Sequence, residues 1–159
     1  EKITLALYSK KEWFKYSNQN GDKSYSSFGK SNYILSQMVN YAKKMGVNTV
    51  ISDTLYKLSG LTLTVRMLDR ITIANLETPI RIFELITEEQ KDKNKNMVDY
   101  FHAGLKLYES QNFNEATMYF KQCLKINSND TPSKIYLERC KNLIQNPPDE
   151  KWDASFYLN

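Results

Sequence analysis

The sequence predicts an α+β fold over its first half and a wholly helical region over its second. Residues 2–8 alternate between apolar and smaller side chains, as a strand does, whereas residues 31–45 carry apolar side chains at helical spacing. A charged, Lys/Asn-rich run over 88–96 follows, either a linker or an exposed lead-in to a helix. We therefore expect an α+β domain over 1–87, a charged linker over 88–96 and a helical region over 97–159.

The composition is that of a globular chain. Hydrophobic residues make up 41% and charged residues 25% of the 159 residues, which excludes a disordered chain. The net charge of +4 is modest and the lysines are interspersed with acids. We therefore expect a solvated surface and no nucleic-acid partner.

Nothing in the sequence has the length and apolarity of a membrane span, which needs roughly 20 residues. We expect no membrane contact by this segment and a cytoplasmic location. The chain opens at Glu1 inside an apolar run, which indicates a piece of a longer parent protein that could itself be membrane-anchored.

Turn and cap residues divide the first domain into strands and helices. Asn20, Gly21 and Asp22 predict the turn of a hairpin rich in aromatic residues. Ser31 can cap a helix that Gly46 ends. The expected elements are a strand at 2–8, a hairpin over 9–28, a helix over 31–45, a buried strand at 47–51, a short helix capped by Ser52 or Asp53 that runs through Leu58, and three strands at 61–65, 71–73 and 80–84.

The second half predicts three amphipathic helices, at 97–109, 113–126 and 132–145. The loop between the first two is short enough to force an antiparallel pair. Two prolines end the third helix. The tail after them carries Trp152, Phe156, Tyr157 and Leu158, which is too apolar for a free segment, so we expect it to pack back on the protein.

The histidine and the cysteines predict no metal site. His102 is the single histidine and cannot complete a ligand cluster. Cys123 and Cys140 could form one disulfide, but two reduced core thiols are favoured because two cysteines make no framework. We expect no metal and no cofactor, with His102 at a surface or an interface.

The helical region resembles one tetratricopeptide repeat. Tyr100, Gly104, Ala116 and Phe120 stand at the spacing of its signature positions, so that the small residues let two helices approach closely. Departures occur at Leu107, where a tyrosine is usual, and at Ser128, where a proline is usual. The resemblance implies a helical hairpin followed by a third helix.

The helical region has two interpretations. It is either a cap that packs on the neighbouring domain, which we favour, or a peptide-binding surface, since one repeat cannot build the groove of a long array. The candidate interaction surface consists of Tyr100, His102, Leu107 and Trp152.

A string near the end of the chain carries the strongest resemblance. Residues 130–140 read D-T-P-S-K-I-Y-L-E-R-C, followed by N-P-P at 146–148 and W-D at 152–153. This is similar to the tail D-x-P-S-x-x-Y-L-x-R-C, N-P-P, W-D that follows the catalytic domain in many bacterial class III adenylate cyclases. The resemblance implies a bacterial protein of cyclic nucleotide signalling.

Two stretches of the first domain resemble the same family. Residues 68–73 (L-D-R-I-T-I) and 77–85 (E-T-P-I-R-I-F-E-L) look like its closing hairpin. Residues 26–38 look like its signature D-x-x-G-x-x-V-N-x-A-S-R-L, with Gly29 and Ser36 in place. The resemblance implies the C-terminal half of a ferredoxin-like cyclase domain, with an antiparallel-rich sheet and helices.

The departures from the family fall on its chemistry. Tyr33 replaces the asparagine that positions the ribose, and Gln37 replaces the arginine that stabilises the transition state. Such a displacement at phosphorus spreads negative charge that a guanidinium would meet. Ser26 replaces the base-selecting aspartate and Ala74 the lysine of the closing turn. Sliding the register by one recovers Asn32 but puts Ser36 at the arginine position.

The family's two metal-binding aspartates belong to an N-terminal half that we expect to lie outside this chain. Two magnesium ions would have no site without them. We interpret the acids present, Asp22, Asp53 and Asp69, as turn formers and caps. The sequence therefore assigns no catalytic, cofactor-binding or metal-binding residue.

We expect a non-catalytic pseudo-cyclase that serves as a signalling or protein-interaction module, paired with another protein or with a second copy of itself. The alternative is the C-terminal part of an active adenylate cyclase that makes cyclic AMP from ATP, with metal-binding residues outside this chain. A third reading makes the hairpin with Trp13, Tyr16 and Tyr25 a ligand-binding surface, although such rings more often pack on a sheet.

Overall fold

The computed structural model describes the backbone of most of the chain. The described residues are 4–8, 14–19, 22–27, 30–74, 76 and 78–158, of which 14–19, 22–27, Lys30 and Lys93 are described without side chains. No helix within these ranges has the length and apolarity to cross a membrane.

The described elements form an α+β fold, as predicted. In chain order they are β1 (Leu5–Leu7), β2 (Phe14–Gln19), β3 (Asp22–Ser27), α1 (Lys30–Met45), β4 (Thr49–Ser52), α2 (Asp53–Leu58), β5 (Val65–Ile73), β6 (Ile80–Leu85), α3 (Glu88–Glu109), α4 (Phe113–Ile126), α5 (Thr131–Gln145) and β7 (Phe156–Leu158).

Five strands form one mixed sheet in the order β1-β4-β6-β5-β7. The outer pairs β1–β4 and β5–β7 are parallel, and the inner pairs β4–β6 and β6–β5 are antiparallel. β2 and β3 pair separately as an antiparallel hairpin with Gln19 opposite Asp22. The predicted hairpin is thereby confirmed over its described residues.

α1 forms because its apolar residues share one face. Ile34, Met38 and Met45 are fully buried at helical spacing, and the helix packs against β1 and β4. Gly46 ends the helix with a φ of +71°, a conformation that a residue with a Cβ adopts only at a cost. The predicted helix and its stop are confirmed.

β5 corrects the prediction of separate strands at 61–65 and 71–73. It runs unbroken over Val65–Ile73, while Leu61 lies outside it with a φ of 61°. The register with β6 shifts between Met67 and Asp69, so the inward-facing phase of the strand changes at this β-bulge. The sequence alternation breaks at the same point, which made one strand look like two.

α3 begins at Glu88, so the charged run over 88–96 is a helical lead-in, the second of its two interpretations. The backbone N–H of Thr87 donates to Oε1 of Gln90 at 3.4 Å, and two glutamates in the first turn favour a helix N-terminus. The division into two domains stays a prediction. The buried apolar core is continuous from α1 and the sheet into α3, α4 and α5.

α3 and α4 form the close hairpin that the repeat-like spacing predicts. A Cβ added to Gly104 would lie 3.0 Å from Cε1 of Phe120, and Ala116 is fully buried. The third helix, α5, is capped by Asp130, whose carboxylate accepts from the Ser133 N–H at 3.1 Å. The tail returns to the sheet as β7 and pairs with β5, as expected of so apolar a segment.

Candidate functional site

The bulge in β5 presents backbone groups to the helices. Leu68 has no residue opposite it on β6, and its carbonyl accepts a hydrogen bond from the Tyr136 hydroxyl of α5 at 3.0 Å. The Met67 N–H donates to Nε2 of His102 on α3 at 2.9 Å. Buried backbone groups need such partners, so the bulge fixes where α3 and α5 sit on the sheet.

A buried ion pair follows directly after the bulge. Asp69, 1% exposed in its side chain, accepts from Nη1 of Arg139 on α5 at 2.6 Å. The Tyr41 hydroxyl of α1 donates to the same carboxylate oxygen and accepts from Nη2 of Arg139 at 2.7 Å. Three elements, α1, β5 and α5, therefore meet in one closed set of charge-assisted hydrogen bonds.

Aromatic rings cover the guanidinium of Arg139. It lies 4.9 Å from the ring centre of Tyr136 and 4.4 Å from that of Phe156 in β7. The ammonium of Lys44 lies 4.4 Å from the same Phe156 ring. These cation–π contacts connect β7 to the cluster and cover the guanidinium of Arg139, whose side chain is 13% exposed.

A second buried cluster joins β5, β6 and the start of α5. Arg66 bonds Glu84, which is directly opposite on β6, through Nε at 2.8 Å and Nη2 at 2.6 Å. Its Nη1 bonds the Asp130 carboxylate at 2.8 Å, and its guanidinium stacks 4.9 Å from the Phe101 ring centre. Asp130 thus caps α5 and anchors it to the sheet with the same side chain.

The shifted pKa values of Tyr41 and Arg139 suit a structural contact rather than proton transfer. Burial, and then the charge of Asp69, raise the pKa of Tyr41 far above its ordinary value. Burial alone would lower the pKa of Arg139, but Asp69 beside it raises the pKa overall. Both groups therefore keep their protons at any physiological pH, whereas an acid–base catalyst has its pKa near the working pH.

His102 differs from Tyr41 and Arg139 because its Nε2 accepts a hydrogen bond from the Met67 N–H, which requires a neutral imidazole. Burial, followed by the charge of Arg66, lowers the pKa of its imidazole. The neutral ring can then accept the Met67 hydrogen bond. The residue lies between α3 and β5, and its part in an interaction surface stays a prediction.

The four positions at which the sequence departs from the cyclase-like pattern lie in a helix, a turn and a strand. Tyr33, 42% exposed, and Gln37, half-buried, stand one turn apart on α1 and so share a face. Ala74 lies exposed in the turn after β5. Ser26 lies in β3, and its side chain is outside the described part of the chain.

The acids form no metal site within the described residues, where no cluster of three or more potential ligands occurs. Asp53 opens α2 after its cap Ser52 and lies 3.6 Å from Lys57. The interpretation of Asp69 as a turn former was wrong, since it is a buried strand residue. The strand looked interrupted at this point, so no local pattern predicted a buried carboxylate there. Asp22 starts β3.

The residues of the candidate interaction surface already make contacts within the chain. Trp152 packs on Tyr108 with ring centres 5.2 Å apart, and Leu107 packs against the core. Tyr100 is the most open, at 39% exposed, with its ring centre 6.5 Å from that of Tyr119. A role for these residues in binding a partner stays a prediction.

The cysteines are free and buried, as favoured from the sequence. Burial raises the pKa of Cys140 to about 11 and also raises that of Cys123. Thiols in this state are poor nucleophiles and poor ligands. Trp13, Asn20 and Gly21 of the aromatic hairpin lie outside the described residues, as do the side chains of Tyr16 and Tyr25.

The two buried clusters were not predicted from the sequence, although residues 130–140 contribute side chains to both of them. Asp130, Tyr136 and Arg139 belong to that string, and each bonds a residue of β5. Asp130 caps the start of α5, and Tyr136 stands one turn before the fully buried Cys140 on the same side of the helix. Charged residues on the apolar side of an amphipathic helix require buried partners of opposite charge.

Comparison with known proteins gives one informative similarity. Over 85 residues, 52% of this chain, the sequence is 33% identical to the adenylate cyclase, terminal-differentiation specific, of Dictyostelium discoideum. The aligned stretch is 4% of that much longer protein. No family model and no solved structure matches the chain. The chain is thus similar in part to an adenylate cyclase, and its α+β fold is compatible with a cyclase half-domain followed by helices.

Proposed function

We propose that this chain is a non-catalytic signalling or protein-interaction module derived from a class III nucleotide cyclase. One observation carries the proposal: the residues that most resemble the cyclase family are used to join helices to a sheet. Asp130, Tyr136 and Arg139 of α5 each bond β5 in a buried setting. What remains of the family pattern in α5 is structural.

The charges support this reading. Cleavage of a triphosphate needs a cation aimed at the reacting phosphate. The cyclase-like positions Tyr33 and Gln37 on α1 carry no charge. Arg66 and Arg139 are buried and paired with carboxylates, so neither guanidinium is free to meet a phosphate. The module in this proposal needs no cofactor and binds no nucleic acid.

The partner in this proposal is another protein or a second copy of the chain, in the cytoplasm. Large apolar side chains remain exposed on the described surface, among them Leu5 at 48%, Leu58 at 68% and Leu61 at 59%. A partner that covers such side chains would remove their apolar surface from water.

Calorimetric titration of the chain with ATP and Mg²⁺ tests the absence of a nucleotide site. We expect no saturable heat up to about 1 mM nucleotide. Saturable binding that is weakened by Tyr33→Ala or Gln37→Ala would contradict the proposal, because it would place nucleotide on the α1 face.

The second candidate is the C-terminal part of an active adenylate cyclase, which the similarity to the Dictyostelium enzyme favours. It predicts that Gln37→Ala in the parent protein lowers cyclic AMP formation at least tenfold, as expected for a group near the reacting atoms. The non-catalytic proposal predicts no change. Lys57→Ala on α2, which is exposed and in another element, is the matched control in the same assay.

A further inference from the structure

An open groove runs between α4 and α5 on the side of α5 that faces away from the sheet. Thr117 and Lys121 of α4 line one wall, and Leu137, Lys141 and Ile144 of α5 line the other. The cavity has a volume of about 500 Å³. The opposite side of α5, with Tyr136 and Cys140 fully buried, holds the contacts to the core.

The groove has an apolar floor and a basic rim. Leu137 is half-buried, and Ile144 is 42% exposed. The hydroxyl of Thr117 already donates to the Phe113 carbonyl at 2.9 Å, so this residue leaves no free donor there. Lys121, Lys134 and Lys141 outnumber Glu138, giving these four groups a net charge of +2.

The shape of the groove fits a helix. α3, α4 and α5 pack in a row, each against the one before it, and a further helix would pack between α4 and α5 by the same ridges-into-grooves rule. From Lys134 to Gln145 the wall is about 16 Å long at the helical rise of about 1.5 Å per residue. None of the described residues fills this position, and after Gln145 the chain returns to the sheet as β7.

We propose that this groove binds an acidic amphipathic helix of a partner protein. Its apolar stripe would rest on Leu137 and Ile144, and its acidic flanks would face the three lysines. The inference rests on the proposed function as an interaction module and names the chemistry of the partner. It is independent of the α1 face, where any nucleotide would bind.

Fluorescence anisotropy with a designed peptide tests the groove. The probe is a labelled, stapled helix of about 14 residues with leucines at i, i+3, i+4 and i+7 and glutamates elsewhere. The matched control peptide has lysine in place of every glutamate. We expect saturable binding of the acidic peptide to the whole chain with Kd of roughly 10–100 μM and binding at least tenfold weaker for the basic one.

Surface variants assign the binding to the groove without disturbing the fold. Lys121→Glu with Lys141→Glu should weaken the acidic peptide at least tenfold, and so should Ile144→Asp. Ile126→Asp is the matched control, because Ile126 is 47% exposed, close to the 42% of Ile144, but lies outside the groove. It should leave the affinity unchanged.

Four results would overturn the inference, and the first three come from the peptide assay. They are no saturable binding of the acidic peptide up to about 1 mM, equal binding of both peptides, or equal effects of Ile144→Asp and Ile126→Asp. A dimer in sedimentation that Ile144→Asp alone dissociates would assign the groove to a second copy and would also overturn it. Failure of the peptide leaves the ATP titration unaffected, and ATP binding at α1 would refute the proposed function without touching the groove.

Discussion

The helices α1 and α5 both carry cyclase-like sequence, but they differ in what those side chains contact. On the outer face of α1, Tyr33 and Gln37 stand where the resemblance requires an asparagine and an arginine, so neither position carries a cation. Tyr33 is 42% exposed and Gln37 is half-buried. The inner face of α5 keeps its acid, tyrosine and arginine, and all three are bonded to β5. The cyclase-like residues at the start of α5 and along it hold the fold together, whereas α1 lacks the side chains that the resemblance would require to act on a nucleotide.

The largest loss of stability is expected at Arg139, which bonds α5 to β5. Arg139→Met removes the guanidinium and leaves the carboxylate of Asp69 buried without a counter-charge. We expect the free energy of unfolding to fall by about 3–5 kcal/mol in chemical denaturation. Lys141→Met, on the exposed side of the same helix, should change it by less than about 0.5 kcal/mol. Equal effects of the two variants would show that the ion pair does not hold α5.

Gly46 lies where the end of α1 meets the start of α5. It has a φ of +71°, and a Cβ there would come within 2.8 Å of Oγ1 of Thr131. Gly46→Ala should therefore destabilise the chain by about 2–4 kcal/mol, from backbone strain and overpacking together.

Gly60→Ala separates those two contributions. Gly60 has a φ of +68°, but a Cβ added there would meet no atom within 4 Å. We expect a loss of about 1–2 kcal/mol in thermal or chemical unfolding, from backbone strain alone. A loss as large as that of Gly46→Ala would mean that the contact with Thr131 contributes nothing.

Tyr136→Phe tests the hydrogen bond between α5 and the bulge of β5. The substitution keeps the ring in the core but removes the donor to the Leu68 carbonyl. An unsatisfied buried carbonyl should cost about 1–2 kcal/mol of unfolding free energy. Tyr100→Phe on α3, 39% exposed, is the control and should be near neutral. If both variants behave alike, the bulge is not held by Tyr136.

The smallest effect concerns pH and His102. Its pKa is lower in the folded state than the ordinary 6.5, so the unfolded chain binds the proton more readily. The contribution of neutral His102 to the free energy of unfolding is complete above about pH 6.5, and it is lost as the pH drops below that value. Arg66 and Asp99 are the charged groups that act on it. His102→Gln should flatten this part of the stability profile in denaturation at pH 5.5 and 7.5, and an unchanged slope would contradict the assignment.

Much of the fold could be predicted because local signals and tertiary structure agree. Three features could be predicted directly from the sequence. They are the buried face of α1 with Ile34, Met38 and Met45, the end of that helix at Gly46, and the small residues at the crossing of α3 and α4. The predictions failed at β5. A bulge shifts the strand period at Met67–Asp69, and neither the shift nor the partner that neutralises Asp69 is encoded nearby. Arg139 lies 70 residues away along the chain.

Specific charge pairing, and not apolar packing alone, fixes α5 to the sheet. A double-mutant cycle of Asp69→Asn and Arg139→Met, read by chemical denaturation, measures that pairing. We predict a coupling energy of about 2–3 kcal/mol, with the double variant more stable than the sum of the single losses implies. Additive losses within about 0.5 kcal/mol would contradict the claim, because they would show that the two side chains stabilise the fold independently.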